Sequence, residues 1–404
     1  MTEKLLFADI DEPGLNTLEV YERRGGYASL RRALAMAPED VLAELEASRL
    51  RGRGGAGFQM GKKVSFLPKG SIEKYLVCNA DESEPGTFKD RVLMESDPFA
   101  LVEAMTIAAY ATGCAHAYVY VRAEYPVAHA RIEHAFEVAR THGLLGDDVM
   151  GTGFAFDIEL RIGAGAYVCG EETALFQSIE GYRGEPRNKP PFPVEVGLFG
   201  KPTVVNNVET LFNVLEVVTE GGQAYAETGT EGSTGTRLFC VSGHVDRPGL
   251  YEVPFGFNLS ELLERAGARP PKAVLLGGAA GSFLRPDQLD LPLTFEDARA
   301  AGATLGSGVV IVYDESADLV AAVLRIAEFF RDESCGQCVP CRVGTVRQEE
   351  ALHRLAAGKA NGNELEVLAD LTAVMRDASI CGLGQTAANA VESAMINLGV
   401  LAPS

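Results

Sequence analysis

The spacing of hydrophobic positions changes twice along the chain, and each change marks a different texture. Up to about residue 233, short apolar runs alternate with helical periodicity. Residues before Ser48 read as two helices, the second opening at Pro38-Glu39-Asp40, where a proline and two acids suit a first turn. Residues 75–78 then read as a buried strand, 117–122 as another, 127–142 as a helix, 154–162 as an alternating strand and 208–219 as a helix. The apolar helical run at 100–112 is short and carries Glu103, so it is expected to be a core helix rather than a membrane span. A Thr, Gly and Ser cluster at 228–235 reads as a linker. Beyond it come short strands at 237–242, 249–253, 273–276 and 308–313 with one helix at 259–266, a small α+β unit without a catalytic constellation. From Asp318 the helical period returns, with candidate helices at 319–331, 343–357, 364–376 and 386–397.

The expected layout is therefore an α/β domain over 1–233, a smaller domain over 234–316 and a helical domain over 317–404, which suits 404 residues. A formal net charge of −20 argues against broad electrostatic binding of nucleic acid or anionic membrane, so any phosphate contacts are expected to be local. The opening Met1-Thr2-Glu3-Lys4 stretch lacks a signal-peptide pattern, and with eight cysteines this favours a reducing, cytoplasmic setting. The six histidines fall at no metal-ligand spacing.

The sharpest chemical signal is Cys335-Gly336-Gln337-Cys338-Val339-Pro340-Cys341. Three thiolates at a two-residue spacing can hold one [4Fe-4S] cluster if a fourth joins them, and Cys381, with 39 residues between it and Cys341, is the candidate. Zinc is the rival, but structural zinc sites usually pair two C-x-x-C units or Cys with His. Two glycine loops stand further upstream. Residues 51–63 hold Gly52, Arg53, Gly54, Gly55, Gly57, Phe58 and Lys63, five glycines and four basic side chains in thirteen residues, the composition of a backbone that can press against a phosphate. The run contains G-x-G-x-x-G, yet a helical segment precedes it where a dinucleotide fingerprint needs a strand, so a standard Rossmann reading is rejected. The second loop, residues 163–175 with Tyr167, Gly170, Glu171 and Glu172, follows a strand and opens a helix.

Between the two loops, Asn79, Asp81, Glu82 and Glu84 follow the strand at 75–78, where α/β sheets place ligands; a solvated acidic turn would look the same. Lys189 and Phe192 lie in a basic, proline-rich loop. Helix capping accounts for Asn206 and Asn207 without a ligand, the dipole at a helix start favours Glu171 and Glu172 in any case, and Cys78 and Cys169 read as small buried hydrophobes.

Together these stretches resemble the flavin-bearing, NADH-oxidising subunit of bacterial NADH:quinone oxidoreductase (respiratory complex I) and its relatives in NAD-dependent formate dehydrogenases and NAD-reducing hydrogenases. The resemblance spans nearly the whole chain. It implies a non-Rossmann FMN-binding α/β domain, a β-grasp-like α+β domain and a C-terminal four-helix bundle carrying a [4Fe-4S] cluster. It assigns Gly54, Lys63, Asn79, Asp81, Gly170, Glu171, Asn206 and Asn207 to FMN, and Gly52, Arg53, Gly55, Gly57, Glu82 and Tyr167 join the candidate cofactor-binding set. Phe58, Phe66, Glu84, Glu172, Lys189 and Phe192 fall toward NADH, with Glu84 and Glu172 as the candidate catalytic pair. The implied activity is hydride transfer from NADH to FMN, then single-electron transfer to the cluster. Electrons would leave to a [2Fe-2S] thioredoxin-like subunit and a larger iron-sulfur subunit. Where the family carries Pro-Thr and a Trp in the first loop, this chain has Gln59-Met60 and Val64. That change motivates the alternative of a non-catalytic electron relay or scaffold that keeps the cluster and has lost nucleotide turnover.

Overall fold

The computed structural model describes residues 5–70, 72–360 and 362–401. The first four residues, part of the stretch read for a leader, lie outside the described residues.

Four strands build the first sheet: β1 (Tyr75–Ala80), β2 (His116–Val121), β3 (Asp157–Ile162) and β4 (Thr203–Asn207), in the order β3-β2-β1-β4, with every pair parallel. Period-two alternation divides its two faces. Leu76, Cys78, Ala80 and Val119 enter one core with the helices Pro98–Thr112 and Val208–Glu220, whereas Val77, Tyr118 and Tyr120 face the other way, toward Leu175 and Phe176 of the helix Glu172–Ile179.

The helix Pro98–Thr112 is buried almost throughout, as its composition leads one to expect. Its Glu103 is bonded by the Tyr21 hydroxyl and by the backbone N–H groups of Tyr27 (2.6 Å) and Leu30 (2.8 Å). No helix among the described residues is long and apolar enough to cross a membrane.

The second sheet holds β5 (Thr236–Gly243), β6 (Gly249–Pro254), β7 (Pro271–Leu276), β8 (Ser282–Leu284) and β9 (Val309–Asp314), ordered β6-β5-β9-β7-β8. Only the central β5-β9 pair is parallel. The helix Leu259–Ala266 packs its leucines into this sheet's own core. The chain then runs through the helices Leu319–Glu333, Val339–Ala356, Glu364–Ala378, Gly382–Thr386 and Asn389–Leu398. This helical region is not a separate layer. Its buried side chains, Cys341 among them, join one apolar cluster with Val77, Tyr118, Leu175, Phe176 and Phe283.

Several expectations are corrected. Three helices, Leu18–Arg23, Ala28–Leu34 and Pro38–Ala47, stand where the apolar pattern predicts two, because the left-handed Tyr27 (φ 62°) breaks the first apolar run. The strand expected at 154–162 begins only at Asp157, since its neighbour β2 starts at His116, the register partner of Asp157. Phe154 and Phe156 instead stack on each other at 6.0 Å. β4 has no counterpart in the hydrophobic pattern, which explains its two terminal asparagines only as caps. The segment read as a linker is partly buried: Ser233 and Thr234 are fully enclosed, because the Arg53 guanidinium donates to the carbonyls of Thr234 (2.9 Å) and Thr236 (3.0 Å).

Candidate functional site

Because the first sheet is wholly parallel, all its carboxyl ends lie along one edge, and the ends of β1 and β4 with the loops after β1 and β3 carry half of the candidate cofactor residues singled out above. Register sets Cys78 beside Asn206 and Asn79 beside Asn207. The Asn79 amide donates to the Gly170 carbonyl at 2.8 Å, which ties the end of β1 to the second glycine loop. The first glycine loop closes on itself through Gly52 N–H to the Phe58 carbonyl (2.8 Å) and leans on β4: a Cβ on Gly54 would stand 3.1 Å from Asn207 Cβ. Gly57 needs its glycine twice over, with φ of +64° and the Phe295 ring 2.6 Å from where a Cβ would be. Gly55, at φ +128°, likewise occupies a conformation closed to other residues.

Two buried polar atoms at this edge have no hydrogen-bond partner among the described residues: Asp81 Oδ1 and Asn206 Nδ2. Buried polar groups are almost always satisfied, so an unpaired acceptor and donor beside one glycine-lined edge fit a polar ligand such as the FMN ribityl chain. Lys63 Nζ donates to the Val205 carbonyl at 2.9 Å; burial draws its pKa below the ordinary range while Glu172 opposes this.

Burial carries the Asp81 carboxyl from 3.8 to about 7, with Ser83 and Arg122 opposing. In the flavin-free protein the folded state therefore binds the extra proton between about pH 4 and pH 7, and this residue's contribution to stability falls as pH rises through that window. Asp97 and Glu82, also raised to about 7, act with the same sign. Thermal unfolding of flavin-free Asp81→Asn across that range is expected to show a flatter, not an abolished, decline. An unchanged slope would remove Asp81 from the account.

Phe58, Phe66 and Phe192 are about half exposed, large apolar surfaces in the open. Lys189 Nζ bonds both Glu171 (2.9 Å) and Glu172 (2.7 Å). Glu84 is clasped between the Tyr167 hydroxyl (2.6 Å) and the Ala280 N–H (3.1 Å) of the β7-β8 loop, and burial raises its pKa.

Not every expected residue presents its side chain here. Arg53 is turned inward and fully buried, its guanidinium bonded to Arg51, Thr234 and Thr236 carbonyls and the Tyr225 hydroxyl and lying 4.6 Å over Phe255. The Glu82 carboxylate is spent on Asp90 N–H (2.7 Å) and Arg91 N–H (2.9 Å), capping the helix Lys89–Ser96. One oxygen of Glu171 caps its own helix through Thr173 and Ala174. Asn207 is held by Lys89 Nζ at its oxygen (3.2 Å) and by Asp90 at its nitrogen (2.6 Å).

These contacts expose residues that the sequence does not single out. Lys89 is wholly buried and pairs with Asp90 (2.7 Å) and Glu209 (2.9 Å) behind the first glycine loop. A Lys-Asp dipeptide after a polar loop reads as solvated, and only the fold shows otherwise.

Three of the four cysteines occupy helix starts, and Cys335 lies in the loop that follows the helix Leu319–Glu333. Cys338 precedes the helix Val339–Ala356, Cys341 lies in its first turn, and Cys381 precedes Gly382–Thr386; burial raises the Cys381 thiol, with the nearby Leu383 and Gly384 N–H groups opposing. Positive helix ends and backbone donors suit thiolates. Burial pushes the Cys341 thiol up to about 11; Ser334 opposes this, and Cys338, Cys381 and Cys335 stand close enough to raise it further. Among the described residues no three His, Cys, Asp or Glu side chains close on one point as a single ion requires. Cysteines around a cubane each bind a different iron, so four converging but separated thiols fit that group.

The close approach depends on Gly384, where a Cβ would lie 2.9 Å from Cys341 Cβ. Gly384→Ala is expected to cut iron and acid-labile sulfide per flavin by more than half while flavin stays bound, as a direct assay of iron, sulfide and FMN would show.

Three family models match: the Nuo51 FMN-binding domain over residues 45–216, the SLBB domain over 238–279 and the NADH-ubiquinone oxidoreductase-F iron-sulfur binding region over 321–398. The second F-type subunit of NADH-quinone oxidoreductase in Rhizobium meliloti (strain 1021) is 45% identical over 98% of this chain and 96% of its own. The NADP-reducing hydrogenase subunit HndC of Solidesulfovibrio fructosivorans is 44% identical over 94% of this chain and 78% of its own. Among solved structures, an NAD+-reducing [NiFe]-hydrogenase in the H2-reduced state superposes with a TM-score of 0.88 at 40% identity, over 99% of this chain and 66% of that one. Beside the glycine-lined sheet edge and the four neighbouring cysteines, these matches show that the chain belongs to the family of F-type NADH-quinone oxidoreductase subunits, FMN- and [4Fe-4S]-bearing oxidoreductases that take NADH.

Proposed function

We propose that the chain is the NADH-oxidising module of a multi-subunit redox complex, either an NADH:quinone oxidoreductase or a hydrogenase or formate dehydrogenase that runs to NAD. One observation carries the reading: the residues 167–183, which border the glycine-lined edge, also grip the cysteine loop. Tyr167 N–H donates to Glu333 at 3.0 Å and Arg183 donates to the Cys335 carbonyl at 2.8 Å. Bound FMN supplies the chemistry that joins a two-electron donor to a one-electron relay.

The protein's own part is binding and orientation. Asp81 and Asn206 offer their free acceptor and donor to the flavin side, Phe58, Phe66 and Phe192 offer apolar faces to the nucleotide, and the Tyr167 and Ala280 contacts fix the Glu84 carboxylate at the substrate. Gln59 and Met60 open the short helix Met60–Ser65 and Val64 lies near its end, which leaves Phe58 and Phe66 exposed on either side of it. This favours turnover over the inert-relay alternative.

We assign residues 1–233 to the FMN and NADH domain and 317–404 to the cluster domain. Residues 234–316 form a β-grasp-like unit, a reading supported by a first and last strand paired in parallel at the sheet's centre with one helix between β6 and β7. A [2Fe-2S] thioredoxin-like subunit and a larger iron-sulfur subunit are the proposed electron acceptors, in the cytoplasm.

Anaerobic NADH is expected to bleach the flavin band and generate the reduced-cluster signal; flavin-loaded protein that does not bleach would leave only the relay reading. NADPH is expected to work with kcat/KM about 100-fold lower, because Glu84 and Glu172 oppose a 2′-phosphate and Lys189 is already paired with two acids. Equal values for the two nucleotides in a dye-reduction assay would refute this, and the NADP-reducing hydrogenase relative makes the comparison a sharp one.

A further inference from the structure

Two arginines from distant parts of the chain bind consecutive carbonyls of the cysteine loop. Arg183, in the turn after the helix Glu172–Ile179, donates to the Cys335 carbonyl at 2.8 Å; Arg342, in the first turn of the helix Val339–Ala356, donates to the Gly336 carbonyl at 2.7 Å. Each contact fixes a cation on the loop that carries two of the four thiols. Each also orients a peptide. In a trans peptide the N–H points opposite to the C=O, so carbonyls drawn toward two exposed arginines turn the Gly336 and Gln337 N–H groups to the loop's other side, where the Gly336 N–H donates to Ser334 Oγ (3.4 Å), itself 3.2 Å from Cys341 Sγ.

The acids nearby are largely compensated: Glu333 accepts the Tyr167 N–H, and Glu171 is bonded by Lys189 and two backbone N–H groups. Arg183 is also shared with Glu185 at 3.2 Å, whereas Arg342 makes no ion pair among those the structure shows.

Resting on the function proposed above, we propose that Arg183 and Arg342 set the reduction potential of the cluster held by Cys335, Cys338, Cys341 and Cys381, raising it so that the flavin can deliver electrons. A one-electron acceptor held by the four thiolates would gain one negative charge, and no proton, on reduction by a bound flavin. Fixed cations and oriented N–H groups favour that more negative state over the oxidised one. Arg183 links the two ends of the transfer, since its turn closes the helix whose first residue is Glu172 of the nucleotide edge. Both arginines lie outside the flavin and nucleotide contacts, so their effect is expected in the cluster's equilibrium and not in nucleotide KM.

The test is a redox titration of the intact holoprotein followed by the reduced cluster's paramagnetic signal, in Arg183→Gln, Arg342→Gln, the double variant and Arg183→Lys. Each glutamine variant is expected to lower the reduction constant threefold to tenfold, tenfold being about 59 mV for one electron. The double variant adds the two shifts and the lysine variant recovers most of the first. Because the Arg183 side chain is 72% exposed, its share is expected to shrink as salt is raised. Midpoints equal to wild type with full iron content would overturn the proposal. Loss of iron and sulfide in the glutamine variants would also overturn it, assigning the arginines to holding the loop instead. A wild-type protein with no reducible cluster would defeat the proposed function itself, which separates the two failures.

Discussion

Asn206→Leu is expected to weaken FMN binding about 10- to 100-fold without harming the flavin-free fold. The Asn206 amide nitrogen is buried at the sheet edge with no partner among the described residues. An unsatisfied buried donor costs about 1–3 kcal/mol, so leucine, close in size and free of that donor, is expected to leave the flavin-free protein equally stable or more stable by about that amount. In the flavin-bound protein the sign reverses, because the bond that satisfies the buried amide is gone; 1.4 kcal/mol corresponds to a factor of ten in affinity. Fluorescence titration of FMN into flavin-free protein, beside thermal unfolding of the same material, reads both halves. Unaltered FMN affinity, or a flavin-free fold that collapses, would show that Asn206 supports β4 and not the cofactor.

Lys89→Met is expected to destabilise the protein by about 3–5 kcal/mol, the cost of stripping one member from a buried charge group. Burial works against the Lys89 ammonium, but Asp90, Glu209 and Glu82 together outweigh it and hold the pKa above the ordinary lysine range. Removing it leaves Asp90 and Glu209 facing each other without their shared cation. It also removes one of the two donors to the Asn207 oxygen, leaving the Glu209 N–H (3.1 Å) that makes Asn207 the cap of its helix, and the Cβ of Asn207 is the surface on which Gly54 rests. Loss of stability should therefore come with weaker flavin binding. Glu209→Gln in the same chain is expected to restore part of the stability, since the two sites share one network. A strictly additive double variant in denaturant unfolding would mean that the pair is not coupled.

These two residues mark the limits of what single-sequence reading reaches. The cysteine spacing, the glycine loops and the strand-to-loop transition at Asn79 are local features: each depends on a few consecutive residues whose conformational demands or ligand chemistry do not change with the rest of the fold. The long helices and most strands are legible for the same reason, their apolar periods being carried by the segments themselves. β4 is not, because Thr203–Asn207 is a strand only by lying in register beside β1. Arg53 and Glu82 lie within stretches that read as ligand loops, yet their side chains turn inward to meet Tyr225 and the helix start at Lys89, partners supplied from elsewhere in the chain.

By itself, then, the amino-acid order determined which chemical groups the protein owns and which short segments present them: four thiols at cluster spacing, two phosphate-permissive turns and an α/β frame. Tertiary structure alone decided which side chains remain free to meet a ligand. Among the described residues Asp81 Oδ1 and Asn206 Nδ2 have no partner, while Arg53, Glu82 and Asn207 are engaged. The physical reason is that a polar atom's availability depends on whether a distant partner reaches it once water is excluded, and strand register and packing set that.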